Sequence, residues 1–316
     1  MAGLRHTPDA MASLLERELL FITGKGGVGK TTLSAALGLV AAERGLRTIV
    51  VELGDQARLP ALFGVPVPQT GAETMLGRRL WSISIDPDQA LLEWLQQLGG
   101  RVSGRVLASS STFQYFAAAA PGAKELISMV KIWELTQARR WQRRAGGYDL
   151  VVIDAPATGH ALGLLQSPQT FGAIARVGPI AGQAQRVREL LQDPTRSGYV
   201  AVALPTEMAV TETLELQDGL QSGIARTLDA VLLNGVLPAR FTPAELERVE
   251  RLNGIEIGRS AAIAARAAHD RARFQHNQLA RLRRRRFEVH GVPFLFVPEV
   301  ALPAVERIAA QLGRRL

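Results

Sequence analysis

Apolar residues in this chain fall into short runs, and between the runs apolar side chains return every three or four positions. The first run, Leu19 to Thr23, leads to a segment from Leu33 to Arg44 with apolar residues at 33, 37, 40 and 41 and a stop at Gly45. A buried strand followed by a helix is the expected outcome. Further strands are predicted at Arg47 to Glu52, Leu80 to Asp86, Tyr148 to Asp154, Tyr199 to Leu204, Ala230 to Leu233 and Pro293 to Val297. Helices are predicted from Pro87 through Leu95, from Gln166 to about Arg196, from Thr211 to Leu228, from Thr242 to Arg286 and from Ala304 to Leu316, with a short one in residues 1–18 capped by Asp9. Strands alternating with helices predict an α/β fold: a mostly parallel sheet flanked by helices.

Between Asp86 and Tyr148 lie about sixty residues of mainly helical pattern, too many for a plain crossover. The pattern is interrupted at Gly99-Gly100 and Pro121-Gly122. Residues 87–145 and 167–198 are therefore read as segments of a helical subdomain standing above the ligand edge of the sheet, within one domain spanning 1–316. Leu91, Leu95, Leu126, Val130 and Trp133 read first as the core of that block and second as a groove for an apolar client.

The stretch joining the first strand to the first helix carries the chemistry. Gly24, Gly29, Lys30 and Thr31 meet the spacing G-x-x-x-x-G-K-T, in the strand–loop–helix context that makes it a P-loop. Gly26, Gly27, Val28, Gly29, Lys30, Thr31 and Thr32 are the expected phosphate-binding positions, because glycines let backbone N–H groups curl around an anion and the helix N-terminus adds partial positive charge. Lys30 is expected to reach the terminal phosphates and the Thr31 hydroxyl to ligate Mg²⁺. Lys25, directly after the first glycine, marks the deviant subclass of P-loop, and two of the chain's four lysines lie in this loop.

Carboxylates at the ends of neighbouring strands complete the expected site. Asp154 closes an apolar strand and is expected to hold the Mg²⁺ shell. Glu52 and Asp55 follow the second strand, where an acid can support the metal or orient the attacking water; a strand end and a turn Asp explain them equally well. Ala155 to His160 is read as a mobile glycine-bearing loop, with His160 as a packing or hydrogen-bonding residue rather than a base. Asn234, at the end of another strand, can hydrogen-bond a base through its two-faced amide, although Asn-Gly is also an ordinary turn.

Composition narrows the rest. With 316 residues and 47% hydrophobic content the chain can bury a large core. No stretch approaches the ~20 uninterrupted apolar residues of a membrane span, and Asp9, Glu16 and Arg17 break any signal-peptide core, so the expected location is cytoplasmic. The absence of cysteine excludes disulfides and thiolate metal sites. Five scattered histidines make no metal cluster. A formal charge of +8 suits nucleic acid, acidic membrane or phosphate ligands alike. The run from Arg281 to Arg286 is read as a solvated helix face ahead of a DNA or lipid contact.

These pieces together resemble the ArsA-type ATPases, the family of arsenite-pump ATPases and of factors that deliver tail-anchored proteins to membranes. The resemblance rests on Gly24 to Thr32, on Ile83 to Pro87 with Ala90 to Trp94, on Pro121-Gly122, and most specifically on Tyr148 to His160, which is similar to the family's switch II. It implies ATP and Mg²⁺ as ligands, with Lys30, Thr31 and Asp154 at phosphate and metal. It also implies Lys25 reaching across a dimer, and Asn234 with Pro298 and Glu299 flanking the adenine. A dimer with itself or with a paralogue, opening and closing a surface for a protein client, is the implied mode of action. The sequence departs from the family at switch I, where Gly54 stands at the water-orienting Asp and Asp55 follows one residue later. Without cysteine, arsenite thiols and a bridging zinc are not expected. Two alternatives stand beside the dimeric ATPase: a weakly catalytic nucleotide switch or heterodimer subunit, and a positioning ATPase similar to MinD and ParA that contacts membrane or nucleic acid.

Overall fold

The computed structural model describes residues 13–54, 57–97, 122–141, 146–174, 178–251 and 256–314. Expectations for Asp9, Asp55, Gly99-Gly100 and Pro121, and for the other residues of 98–121, 142–145 and 175–177, lie outside the described residues. Among the described residues eight strands form one sheet: β1 (Leu19–Gly24), β2 (Thr48–Leu53), β3 (Thr74–Gly77), β4 (Leu80–Ile85), β5 (Leu150–Ala157), β6 (Ser197–Ala203), β7 (Ala230–Val236) and β8 (Val289–Pro293). Their order is β3-β4-β2-β5-β1-β6-β7-β8, parallel throughout except for β3 against β4. The fold is therefore α/β with a mostly parallel sheet.

The helices are α1 (Lys30–Glu43), α2 (Arg58–Leu62), α3 (residues 87–97), α4 (Ala123–Leu135), α5 (Thr158–Ile174), α6 (Pro179–Gln192), α7 (Glu207–Ile224), α8 (Pro243–Glu250), α9 (Glu256–Arg284) and α10 (Leu302–Gly313). Alternation along each strand divides the core in two, because successive side chains point to opposite faces. Leu19, Phe21, Ile49, Val51, Val151, Ile153 and Tyr199 pack with α3 to α7 on one face. Leu20, Ile22, Val50, Leu150, Val152 and Val200 pack with α1 and α10 on the other. Leu126 and Val130 are buried in the first of these clusters and Leu91 and Trp133 pack against it half-buried, so these four side chains serve the core; Leu95 is buried too. On the second face, α1 lies so close to the sheet that a Cβ at Gly38 would meet the side chains of Val50 and Leu80.

Three local expectations need correction. The last strand is Val289–Pro293, four residues before the predicted Pro293 to Val297. The burial decides it: Val289 and Val292 face the core, while Phe294 and Phe296 stand exposed. The stretch from Ala155 to His160 is no loop, since β5 runs to Ala157 and α5 starts at Thr158. The helix predicted from Gln166 to Arg196 is two helices, with Gly178 at φ 95° opening the second ahead of Pro179. β3 was not anticipated; four residues with no buried side chain leave no periodic signal.

A buried charge cluster fastens α3 and α4 beside the β3 edge. Glu134 accepts from Arg140 Nε at 2.6 Å and Nη2 at 3.1 Å, from Lys131 at 3.1 Å and from the Trp141 amide at 3.0 Å. Arg140 also reaches Glu73, and Lys131 reaches Glu93 on α3 at 2.7 Å. Burial pushes the Glu134 carboxyl up, but hydrogen bonds from Arg140 and the charge of Lys131 outweigh it and hold it below the usual range. Replacing Glu134 by Gln removes the buried anion that two buried cations share and leaves them only the more exposed Glu73 and Glu93, a change that costs up to roughly 3–5 kcal/mol. Glu134→Gln is thus expected to lower the urea midpoint sharply, and an unchanged midpoint would contradict the anchoring role.

Candidate functional site

β1 ends at Gly24, whose φ of 152° turns the chain against β6; any Cβ there would collide with the Val202 carbonyl oxygen. The loop then runs to Gly29, at φ 92°, after which α1 begins at Lys30 with no side-chain cap and no acidic residue in its first turn. The positive end of the helix is thus left for an anion. Above Gly26 and Gly27 there is open space, with nothing within 4 Å of a Cβ placed on either.

Lys30 folds back over this loop and donates to the carbonyls of Gly24 at 3.1 Å and Lys25 at 2.9 Å. Burial pulls its pKa down, and Asp154 opposes that shift. One residue on, Thr31 Oγ1 donates to Asp154 Oδ2 at 2.5 Å, and Ser34, a turn further along α1, approaches the other carboxylate oxygen at 3.5 Å. The parallel pairing of β2 with β5 sets Glu52 level with Asp154, so two acids stand side by side. Both are pushed up by burial. Glu52 reaches about 7 even though the amides of Arg58 and Leu59 donate to it at 2.9 and 3.2 Å.

These groups share one cavity of about 880 Å³ at the C-terminal edge of the strands. Gly26, Gly27, Gly29, Lys30, Thr31 and Thr32 line it from the loop, Glu52 and Gly54 from β2 and its exit, Asp154 from β5, and Glu299 from the segment before α10. Ligands of open parallel sheets bind along this edge.

Not every anticipated residue faces the cavity. Val28 is buried in the core instead, and Pro298 is not among the lining residues. Asn234 donates from Nδ2 to the Val28 carbonyl at 2.8 Å and so braces the underside of the glycine loop. Lys25 points away from the loop to α7, where Nζ meets Glu212 at 2.6 Å and Met208 Sδ at 2.7 Å. His160 is exposed in the first turn of α5. Asp55 lies outside the described residues, while Gly54 beside it has φ 97° and accepts a hydrogen bond from the Ser84 hydroxyl.

Sequence reasoning overlooked Ser34, Arg58 and Glu212. Ser34 carried a usable signal, since three residues after Thr31 it shares that helix face. Arg58 lines the cavity by virtue of the bonds that hold its amide to Glu52, and Glu212 meets Lys25 only through the packing of α7; neither relation is visible in spacing.

The sequence is similar to those of known proteins. Residues 17–179, just over half the chain, match the model of the anion-transporting ATPase family, ArsA_ATPase. The chain is 30% identical to the ATPase BagA of Mycobacterium tuberculosis over 238 residues, which cover 73% of this chain and 68% of that protein. It is 28% identical to the arsenical pump-driving ATPase of Escherichia coli over 237 residues, 70% of this chain but 40% of that one. It is 24% identical to the ATPase ARSA1 of Chlamydomonas reinhardtii, over 68% of this chain and 34% of the relative. With the glycine loop, the adjoining strand-end carboxylates and this match across the chain's N-terminal half, the protein belongs to the ArsA-type, or anion-transporting, ATPase family.

Proposed function

We propose that the chain binds Mg²⁺–ATP in the cavity above the glycine loop, hydrolyses it, and as a dimer couples nucleotide state to a protein client or partner. The observation that carries this reading is the 2.5 Å hydrogen bond from Thr31 to Asp154, which joins the start of α1 to the carboxylate of β5 beneath an open loop. The donor set fits a metal-bound polyphosphate: unoccupied space over Gly26 and Gly27, a helix N-terminus free of acids, one lysine and a hydroxyl–carboxylate pair. Thr31 and Asp154 would hold Mg²⁺, with Glu52 behind them. When bound, the ion neutralises charge on the phosphate oxygens during transfer.

The remaining work falls to the chain. Backbone amides from Gly26 to Thr32 bind phosphate oxygens, and Lys30 turns from the Gly24 and Lys25 carbonyls to the terminal phosphates. Asn234 keeps the loop in shape from below, while Glu299 and its neighbours wall the nucleoside side. That the relatives are ATPases supports hydrolysis as the reaction. Arsenic is not proposed as cargo, because the chain has no thiolate to hold it.

Dimerisation, with a second copy or a paralogue, is proposed from Lys25. Its pair with Glu212 is formed by side chains 39% and 30% exposed, a setting in which ion pairs contribute under about 1 kcal/mol. A partner's phosphates can therefore recruit Lys25 at small cost.

A weakly catalytic switch is the second reading, favoured by Gly54. No carboxylate stands at that position, and φ 97° is a conformation any Asp placed there would hold only under strain. The unmodified chain is expected to turn over ATP slowly in a phosphate-release assay. A rate near the ordinary enzyme value of about 10 s⁻¹ would eliminate the switch.

Two further outcomes follow from the site. Loss of the Lys30 charge-assisted bond costs roughly 1.5–3 kcal/mol, so Lys30→Ala should weaken ATP binding about tenfold to a hundredfold by calorimetry, and equal affinity would rule out this phosphate site. Glu52 supplies a pH signature. Its folded pKa of about 7 lies above the ordinary 4.5, so the folded state holds the proton more tightly; that contribution is complete below pH 4.5 and lost as pH rises through 7. Measured without nucleotide, the stability of the parent relative to Glu52→Gln should fall by up to about 3 kcal/mol between pH 4.5 and pH 8. A pH-independent difference would show that Glu52 is not held near neutrality.

A further inference from the structure

The positive charge of this protein is concentrated on one element. Residues 256–286 carry nine arginines against two acids, a surplus of seven in a chain whose net charge is +8. Everywhere else arginines and acids nearly balance, so a general arginine habit does not account for the excess. The segment is α9, 29 residues and about 43 Å long, with its run of basic residues continuing to Arg286.

The helix lies along the β8 side of the molecule, packed on α8, α7, β7 and β8 through Ala262, Ala265, Ala272 and Leu282. On its outward face Ile263 is 66% exposed and Phe274 44%. Eleven residues apart, they stand three turns apart and within about 20° of one line. Arg259, Arg266 and Arg273 flank that line on one side and Arg271 on the other, all exposed. Glu250 of α8 pairs with Arg266, and Asp270 lies between the two apolar residues, so the charge surplus grows toward the Arg283 end.

We propose that the outward face of α9 docks on the surface of an anionic lipid bilayer. Clustered arginines are attracted to acidic headgroups, and their stems reach along the surface while isolated apolar side chains sink to the headgroup–acyl boundary. A nucleic acid would satisfy the arginines equally but leave Ile263 and Phe274 with nothing apolar to enter, which is why lipid is the better fit. Contact is peripheral: among the described residues no helix is long and apolar enough to cross a membrane.

The test is co-sedimentation of the full chain with phosphatidylcholine vesicles, with and without phosphatidylglycerol. Anionic vesicles are expected to bind at least about tenfold more tightly, with the preference fading as salt rises. Arg271→Glu with Arg273→Glu should abolish that preference. Ile263→Ser with Phe274→Ser should weaken vesicle binding severalfold while leaving any duplex DNA binding unchanged. Melting temperatures of both variants confirm that they are folded. No preference for anionic vesicles, or a preference that survives the charge reversal, overturns the proposal. So does duplex DNA binding that exceeds vesicle binding and ignores the Ile263 and Phe274 changes, which would make the face a nucleic-acid surface.

Discussion

Parallel pairing of β1 with β5 is the constraint from which the site follows. It sets Ile22 level with Asp154, so the carboxylate emerges beside the strand that feeds the glycine loop. The loop turns at Gly24, where only a glycine fits under the Val202 carbonyl, and returns at Gly29 to start α1. Thr31 then falls within hydrogen-bond range of Asp154 with no other adjustment. Slipping β5 by one residue would send Asp154 to the opposite face of the sheet and leave Thr31 without its acceptor.

The same sheet geometry creates an electrostatic demand. β2 also pairs with β5, and register brings Glu52 beside Asp154. Burial leaves both carboxylates poorly solvated, so both protonate more readily than usual, and at Glu52 the charge of Asp154 adds to the shift. The charge of Arg58 acts against the shift at both, and that of Lys30 acts against it at Asp154. Such a pair gains most from a compact divalent cation, whose charge reverses the local preference for the protonated acid. Glu52 serves α2 at the same time, since its two oxygens accept the Arg58 and Leu59 amides. One carboxylate thereby ties the wall of the cavity to its floor.

Much of this was legible because β1 and β6 are buried throughout and β2, β5 and β7 are buried over their first four residues or more, and burial on both faces writes itself as uninterrupted apolar sequence. The glycine spacing was legible for a similar reason: positive φ and close backbone approach admit few other residues. What was missed depends on tertiary choice. Phe294 to Val297 looks more strand-like than Val289 to Pro293, yet the ladder closes with the bond from the Phe294 amide to Val236, and the aromatics stand beyond it. Lys25 read as a residue aimed at phosphate, but within one chain the nearest anion is Glu212, brought there by α7 from 187 positions away. Asn234 read as a base contact, and its amide instead holds the Val28 carbonyl, because β7 ends under the loop.

The placement of α9 gives its charge a mechanical context. From Arg284 the chain turns, forms β8 against β7, and reaches Glu299 at the cavity wall, all within fifteen residues. β7 in turn carries Asn234 near its end, the residue that braces the glycine loop. A force on α9 would thus meet two strands that lead toward the cavity, β8 through the segment that reaches Glu299 at its wall and β7 through Asn234 beneath the glycine loop. Strands resist sliding because a shift of register must break a whole ladder of bonds, so the response open to them is a joint tilt. Residues 299–301 and the loop around Val28 would then move together, and a ligand that fixes the loop would in turn fix the attitude of α9. Reciprocity of this kind needs only that the two ends share rigid elements and that each ligand favours one arrangement of them.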